Sequence, residues 1–312
     1  MILITGVRGF AGRHLAELSA RSGDSVSGLG RGAASPGELP GVDEYLRVDL
    51  LDAAATRDAV RRVQPERVFH LAAEASVARS WQAPAEVISA NFASTLNLLE
   101  AVRLEAPNAA VLVACSAAEY GSPLRSPVDE EHPLSPRNPY GASKAMVDVL
   151  AGSYADSHGL RVVRMRAFNH IGPGQSEEYV VSSFARQIAN AEAAGAPRAS
   201  LVTGNISVRR DFTDVRDAVR AYRLALERAE PGAYNVCSGR AVALSDILTR
   251  LAEQSPLEVE QRVDDSRLRQ NDVIEIAGSH EKLTAATGWR PEIDLADTLR
   301  DVLAWWRERA AG

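Results

Sequence analysis

An apolar run at the start of the chain, Met1-Ile2-Leu3-Ile4-Thr5, passes directly into Gly6-Val7-Arg8-Gly9-Phe10-Ala11-Gly12, where helical spacing begins. The spacing of the three glycines constrains the fold more than any other feature. The first permits a tight turn out of a strand, and the second lets main-chain N–H groups approach a pyrophosphate. The third lets the helix pack closely on that strand, with its N-terminal dipole favouring anions. A glycine motif alone is weak, but a strand before it and a helix after it supply the context that confirms it. The run therefore predicts a dinucleotide site built on Gly6, Arg8, Gly9, Phe10 and Gly12.

The segments that follow keep to the same plan. Ile2–Thr5, Ser25–Leu29, Tyr45–Val48, Val68–Ala72, Val111–Cys115 and Val162–Met165 are short apolar or β-branched runs. Between them lie helical stretches, such as that carrying Ile88, Asn91, Thr95, Leu98, Leu99 and Val102. Strands alternating with helices predict an α/β protein with a doubly wound parallel sheet, a Rossmann fold whose ligands bind at the carboxyl ends of the strands. Beyond Phe168 the rhythm loosens into turns such as Ile171-Gly172-Pro173-Gly174 and helices of mixed charge such as Asp214–Arg228. Residues 1–168 are expected to form the dinucleotide-binding domain. Residues 169–312 are expected to form mainly a smaller substrate-binding lobe, with some segments returning to the first domain. The tail Leu295–Arg309, with Trp305 and Trp306, is amphipathic and should pack on the body of the fold.

Composition excludes several classes of function. With 46% hydrophobic residues and 24% charged, an ordinary core is available. A net charge of -6 without a basic block argues against a nucleic-acid partner. No run is long and apolar enough to cross a bilayer, and none reads as a signal peptide. Cys115 and Cys237 lie in apolar runs and should be reduced and buried, as in a cytoplasmic protein. No cysteine–histidine cluster suggests a metal.

The end of the second strand reads Gly28-Leu29-Gly30-Arg31-Gly32 and carries no acid to hold a ribose 2′-OH. Arg31 offers a permanently charged fork suited to a 2′-phosphate, and Arg8 is placed to reach the same group. NADP(H) is expected in preference to NAD(H), with Asp49 meeting the adenine amino group. The fifth strand ends at Ser116, and Tyr140 and Lys144, four apart, share one face of a helix. A phenol titrating near 10 exchanges protons slowly at neutral pH, and a neighbouring ammonium is expected to lower that value. Ser116, Tyr140 and Lys144 thus form the candidate catalytic set. Ser116 would hydrogen-bond a reacting carbonyl, Tyr140 would move the proton, and Lys144 would hold the nicotinamide ribose.

With these residues in place, the chain resembles the extended short-chain dehydrogenase/reductases that act on nucleotide sugars. The matching segments are the glycine loop, Asp49-Leu50, His70-Leu71-Ala72-Ala73, Ser116, and Tyr140 with Lys144. The second half is similar to the subgroup holding the GDP-4-keto-6-deoxy-D-mannose reductases and GDP-mannose 4,6-dehydratases, and more narrowly to the reductases. That likeness rests on Phe168–Gln175, Arg210–Val215, Tyr234–Gly239 and Leu268-Arg269. The resemblance implies that Leu50, Leu71, Ala72 and Ala73 line the cofactor and that Ser76 and Arg79 touch a hexose. It also implies that Asn169, Arg210 and Arg269 grip the diphosphate of a nucleotide sugar. Arg267 competes with Arg269, and an ion pair to Asp211 or Asp214 competes for Arg210. His170 is expected to be a pocket wall without a chemical role. A homodimer is implied, through the helix near Asn91–Val102 and the one starting at Tyr140.

One position separates the chemistries within the subgroup. A dehydratase needs an extra carboxylate, in the relatives a Glu two residues past the residue matching Ser116, and this chain has Ala118 there. The adjacent Glu119 should be directed elsewhere by the one-residue shift. The expected reaction is NADPH-dependent reduction of the C4 ketone of a 4-keto-6-deoxyhexose, most simply GDP-4-keto-6-deoxy-D-mannose to GDP-D-rhamnose. A dTDP-sugar reductase, a 4,6-dehydratase and a 4-epimerase follow in that order. A non-catalytic dinucleotide sensor is disfavoured because Tyr140 and Lys144 are both kept.

Overall fold

The computed structural model describes residues 1–34, 37–265 and 273–311. Its first half runs β1 (Ile2–Thr5), α1 (Phe10–Arg21), β2 (Val26–Gly30), β3 (Glu44–Arg47), α2 (Ala53–Val63), β4 (Arg67–His70), α3 (Val77–Gln82), α4 (Pro84–Glu105), β5 (Ala110–Ser116), a 3-10 turn (Ala117–Glu119), α5 (Pro139–His158) and β6 (Val162–Ala167). The second half runs β7 (Asn169–Ile171), α6 (Val180–Ala193), β8 (Arg198–Thr203), β9 (Arg209–Asp214), α7 (Val215–Arg228), β10 (Gly232–Val236), β11 (Ala241–Ala243), α8 (Leu244–Ala252), β12 (Glu258–Val263), β13 (Glu275–Ile276), α9 (Glu281–Thr287) and α10 (Leu295–Ala310).

Each strand expected from the apolar runs is present within one or two residues of its expected bounds. Together with β10 they form a parallel sheet in the order β10-β6-β5-β4-β1-β2-β3. Along β1, β4 and β5 alternate residues enter different cores, so both faces are buried there and these strands read as continuous apolar runs. Ile2 and Ile4 of β1 join Leu112, Val163 and Met165 against α1 and α7. Leu3 joins Val68, Val111 and Val113 against α2, α4 and α5. The expected doubly wound α/β fold is the one observed. β4 stops at His70, short of the expected Ala72, because the chain leaves the sheet there and Ala72 N–H donates to Thr5 Oγ1 at 3.2 Å.

A separate core gathers α6, α8, α10 and β8, with Phe184, Ile188, Leu201, Ile247, Leu299 and Leu303 buried. Here β9 pairs with β7, β11 and β13, while β8 pairs with β12. Short acids start the helices, as expected of N-caps. Asp214 accepts the Arg216 N–H at 2.8 Å to open α7, and Asp294 accepts that of Ala296 at 2.8 Å to open α10. The tail helix packs on α6, where Trp306 Nε1 donates to Ser182 Oγ at 2.9 Å.

The glycine turn is the tightest point. Gly6 has φ +70, and a Cβ there would lie 2.8 Å from the Ala72 Cα. A Cβ on Gly12 would lie 2.3 Å from the Gly6 carbonyl oxygen, a main-chain atom that cannot swing aside. Gly12→Ala should therefore push α1 off β1 and destabilise the protein by about 1–3 kcal/mol, the usual cost of overpacking. A denaturant unfolding curve matching wild type would show that α1 accommodates the methyl group.

Candidate active site

Adjacent β1 and β4 send the chain to opposite sides of the sheet, and the crevice between their carboxyl ends is where ligands of such sheets bind. Two loops meet there through Thr5, whose Oγ1 accepts the Ala72 N–H and bonds His70 Nδ1 at 2.8 Å. His70 Nε2 reaches Thr95 Oγ1 at 3.0 Å, and burial holds the imidazole down to about 3, so it is a neutral part of the wall. Gly9 opens α1 with no side-chain cap, so no side chain of the cap residue satisfies the first N–H groups of the helix. Phe10 and Ala72 pack at the rim of the two main core clusters.

Arg8 lies across the loop after β2, donating to the Ala33 carbonyl and facing Glu38 at 3.8 Å. Its guanidinium is so close that a Cβ on Gly32 would meet Nη1 at 2.2 Å. Arg31 is exposed on the same loop, which is pinned by Arg47 Nε to the Arg31 carbonyl at 3.0 Å and Tyr45 Oη to the Gly32 carbonyl at 2.6 Å. The two arginines thus flank one loop. Asp49 is exposed and its Oδ1 accepts the Leu51 N–H at 3.1 Å. Leu50 is a core residue, while Leu71 is half-buried and Ala73 exposed at the crevice.

Ser116 ends β5, and its Oγ accepts the Ala118 N–H at 3.2 Å. Asn138 caps α5, taking the Gly141 N–H at 2.8 Å, and Pro139 occupies its first turn. That start sets Tyr140 beside Ser116. Lys144, one turn later, is buried and donates to the Ala114 carbonyl at 2.7 Å. The three expected residues are therefore brought together. The electrostatics differ from the expectation that Lys144 depresses the phenol. Burial raises Tyr140 above its ordinary value, and the neighbouring Ser116 hydroxyl only partly opposes it. Burial also lowers Lys144, whose ammonium is spent on the Ala114 carbonyl.

Ala118 is half-exposed, while Glu119 is 0% exposed. Glu119 turns back so that Oε1 accepts the Ser116 N–H at 2.7 Å. The one-residue shift thus redirects this carboxylate inward, as anticipated.

Of the residues expected at the substrate, Ser76 caps α3 by accepting the Arg79 N–H at 3.2 Å. Arg79 is exposed and bridges Glu74 at 3.3 Å and Glu86 at 3.5 Å. Asn169 is exposed on β7 opposite Phe212 of β9, the strand that carries Arg210. Arg210 Nη1 donates to the Val273 carbonyl at 2.6 Å. Asp211 instead accepts the N–H groups of Ser238, Gly239 and Gly278, and Asp214 binds Arg216 and Thr298. Arg267 and Arg269 lie outside the described residues. His170 Nε2 bonds Tyr222 Oη at 2.7 Å, and burial holds the ring down to about 4.

Sequence reasoning gave no role to Asn91, a lone amide in an apolar helical stripe. Its Oδ1 accepts the Glu74 N–H at 2.8 Å and its Nδ2 donates to Ser143 Oγ at 2.9 Å, tying the loop after β4 to α5. That break in the stripe was the available signal.

The geometry agrees with what the chain is similar to. It is 36% identical over 311 residues, 99% of its length and 97% of the relative, to the GDP-6-deoxy-D-mannose reductase of Pseudomonas aeruginosa. A structure of RMD from Pseudomonas aeruginosa complexed with NADPH superposes with a TM-score of 0.87 at 34% identity, covering 99% of both chains. The UDP-glucose 4-epimerase of Thermus thermophilus in complex with NAD gives 0.85 at 32%, covering 98% of both. The model of the GDP-mannose 4,6 dehydratase family matches residues 3–302. With a family match of that extent and a full-length relative above a third identical, the chain belongs to the GDP-mannose 4,6 dehydratase family of extended short-chain dehydrogenase/reductases.

Proposed function

We propose that this protein reduces the C4 ketone of GDP-4-keto-6-deoxy-D-mannose with NADPH, giving GDP-D-rhamnose. One observation carries the choice within the family. Ser116, Tyr140 and Lys144 are gathered at the end of β5, but the position that holds the elimination acid in dehydratases is Ala118, and Glu119 is locked inside. The residues fit the cofactor. Gly6, Gly9 and Gly12 form a cradle that a side chain would fill, α1 begins uncapped, and Arg8 and Arg31 flank the loop where a 2′-phosphate needs cations.

NADPH supplies the hydride when bound. Ser116 hydrogen-bonds the ketone oxygen as charge develops on it, and Tyr140 gives that oxygen its phenolic proton, so the ketone gains a hydride at C4 and a proton at O4. A phenol held above its usual value remains protonated at neutral pH, the state that reduction requires. Lys144, on exchanging its Ala114 bond, would hold the nicotinamide ribose. Asn169 and Arg210, on neighbouring strands, are suited to the diphosphate, together with Arg269. Residues 1–168 serve the cofactor and 169–312 mainly the sugar nucleotide. The exposed Met146 and Val149 of α5 support a homodimer through α4 and α5. Among the described residues no helix is long and apolar enough to cross a membrane, and we assign the enzyme to the cytoplasm.

Incubation with NADPH and the 4-keto-6-deoxy sugars of GDP and dTDP tests the assignment. Faster oxidation of NADPH with the GDP sugar, and a D-rhamnosyl product by NMR, are expected. Turnover of the dTDP sugar alone would overturn the choice of nucleotide. Tyr140→Phe should lose turnover by roughly 10²–10⁴-fold while still binding NADPH. Near-normal turnover would remove Tyr140 from the proton transfer. NADPH should be preferred to NADH, and Arg31→Ala should raise the KM for NADPH alone, so equal use of both cofactors by wild type would count against Arg31. GDP-mannose should not be dehydrated, and a product lighter by one water in the mass spectrum would promote the dehydratase.

A further inference from the structure

A fully buried acid directly behind Ser116 has no place in the reduction as described. Glu119 Oε1 holds the Ser116 N–H at 2.7 Å. That N–H needs an acceptor because β5 outruns β4, the last pair between them being Val113 with His70. Glu119 Oε2 is buried without a hydrogen-bond partner among the described residues. It stands 3.7 Å from Arg166 Nε, which gives its hydrogen bond to Asp148 Oδ2 at 2.9 Å. Two carboxyl groups therefore compete for one guanidinium. The other groups facing Glu119 are Cys115 from β5, Tyr140 and Lys144 from α5, and Tyr120 from the end of its own turn. Cys115, Glu119 and Asp148 bring ligand atoms within 4.8 Å of one another. Arg166 already lies on both carboxylates, so a divalent cation would have to displace it, and the trio is not a metal site.

We propose that Glu119 is a positioning residue: through the Ser116 main chain it fixes the hydroxyl that meets the ketone, and its carboxyl, standing beside Tyr140, tunes the acidity of that phenol. This rests on the ketoreductase reading above. Ser116 is held reciprocally, by Glu119 at its N–H and by the Ala118 N–H at its Oγ, and its hydroxyl is left facing Tyr140. Burial first, and Asp148 second, push the Glu119 carboxyl up, so it carries its proton at neutral pH. When rising pH removes that proton, a negative charge appears beside Tyr140 and makes the phenol hold its own proton more tightly. A general acid that releases its proton less readily slows the reduction.

The test is the pH profile of kcat for the 4-ketosugar in wild type, Glu119→Gln and Glu119→Ala. Gln keeps an acceptor for the Ser116 N–H and cannot ionise, so it should keep near-wild-type kcat at neutral pH and move the alkaline fall upward. Ala leaves the N–H unpaired, and kcat should drop about 10–100-fold with little change in the sugar KM. The protonated carboxyl stretch of Glu119, read by infrared difference between wild type and Glu119→Gln, should persist at neutral pH and titrate away above it. A Gln profile superimposing on wild type, an Ala variant at full kcat, or a Glu119 carboxyl ionised at neutral pH would each overturn the proposal. Should Glu119→Ala not fold, the Gln profile and the infrared titration decide. Failure of the ketoreductase reading is separate: wild type would then reduce no 4-ketosugar, and the infrared titration would still test the charge of Glu119.

Discussion

Where α1 crosses the turn after β1, main chain meets main chain. The Gly12 Cα faces the Gly6 carbonyl with no room for a methyl group, and Gly6 in turn lies against Ala72. These contacts set how near α1 stands to the sheet and how the loop after β4 approaches the glycine turn. The uncapped end of α1, the loop carrying Arg31 and the Ala72–Ala73 edge take their relative positions from it. Farther out, His14 on the same helix reaches the Pro173 carbonyl at 2.9 Å, so the turn following β7 is registered to α1 as well. A close approach of two backbones thus sets the geometry of both halves of the crevice.

Beneath the catalytic end of β5 lies a network that no apolar core would require. Arg166 binds Asp148, the Tyr120 hydroxyl and the Glu130 carbonyl, while Tyr120 donates to Asn235 Oδ1 at 2.7 Å. Burying such charges costs several kcal/mol for each ion before their attraction is counted. Removing one partner strands the others, so the cluster is rigid in composition even where single bonds are weak. Its placement joins β6, α5 and β10 behind Ser116 and puts charged and polar side chains into the floor of the site.

The first six strands were legible because a sheet buried on both faces demands apolar runs, and no other element of that length does. The glycine loop, Arg31 and the Tyr140–Lys144 pair were legible because their chemistry needs fixed spacings. β10 was not foreseen as a strand: Gly232-Ala-Tyr-Asn-Val236 alternates side-chain types, since Asn235 serves the polar floor. The direction of the Tyr140 shift was missed for a related reason. Spacing reports that Lys144 is one turn away, but it does not report that the Ala114 carbonyl holds the ammonium or that burial outweighs it. Arg210 was foreseen as competing between a ligand and two acids. Only tertiary structure reveals that main-chain N–H groups anchor Asp211 while Arg216 and Thr298 occupy Asp214. The inward turn of Glu119 was legible from a one-residue shift, whereas its grip on Ser116 was not.

The pairing of β10 with β6 has a consequence for how the chain is made. Met165 and Tyr234 are partners in neighbouring strands, although α6, β8, β9 and α7 are synthesised between them. During translation β6 is therefore an open edge, with unpaired main-chain groups and with Val163 and Met165 lacking the cover of α7. Such an edge is a template for the wrong strand, and nascent chains crowded on one messenger would offer several. The face that ends as the floor of the site is thus the last part of the sheet to close, and the period before β10 emerges is when this enzyme most needs protection from its neighbours.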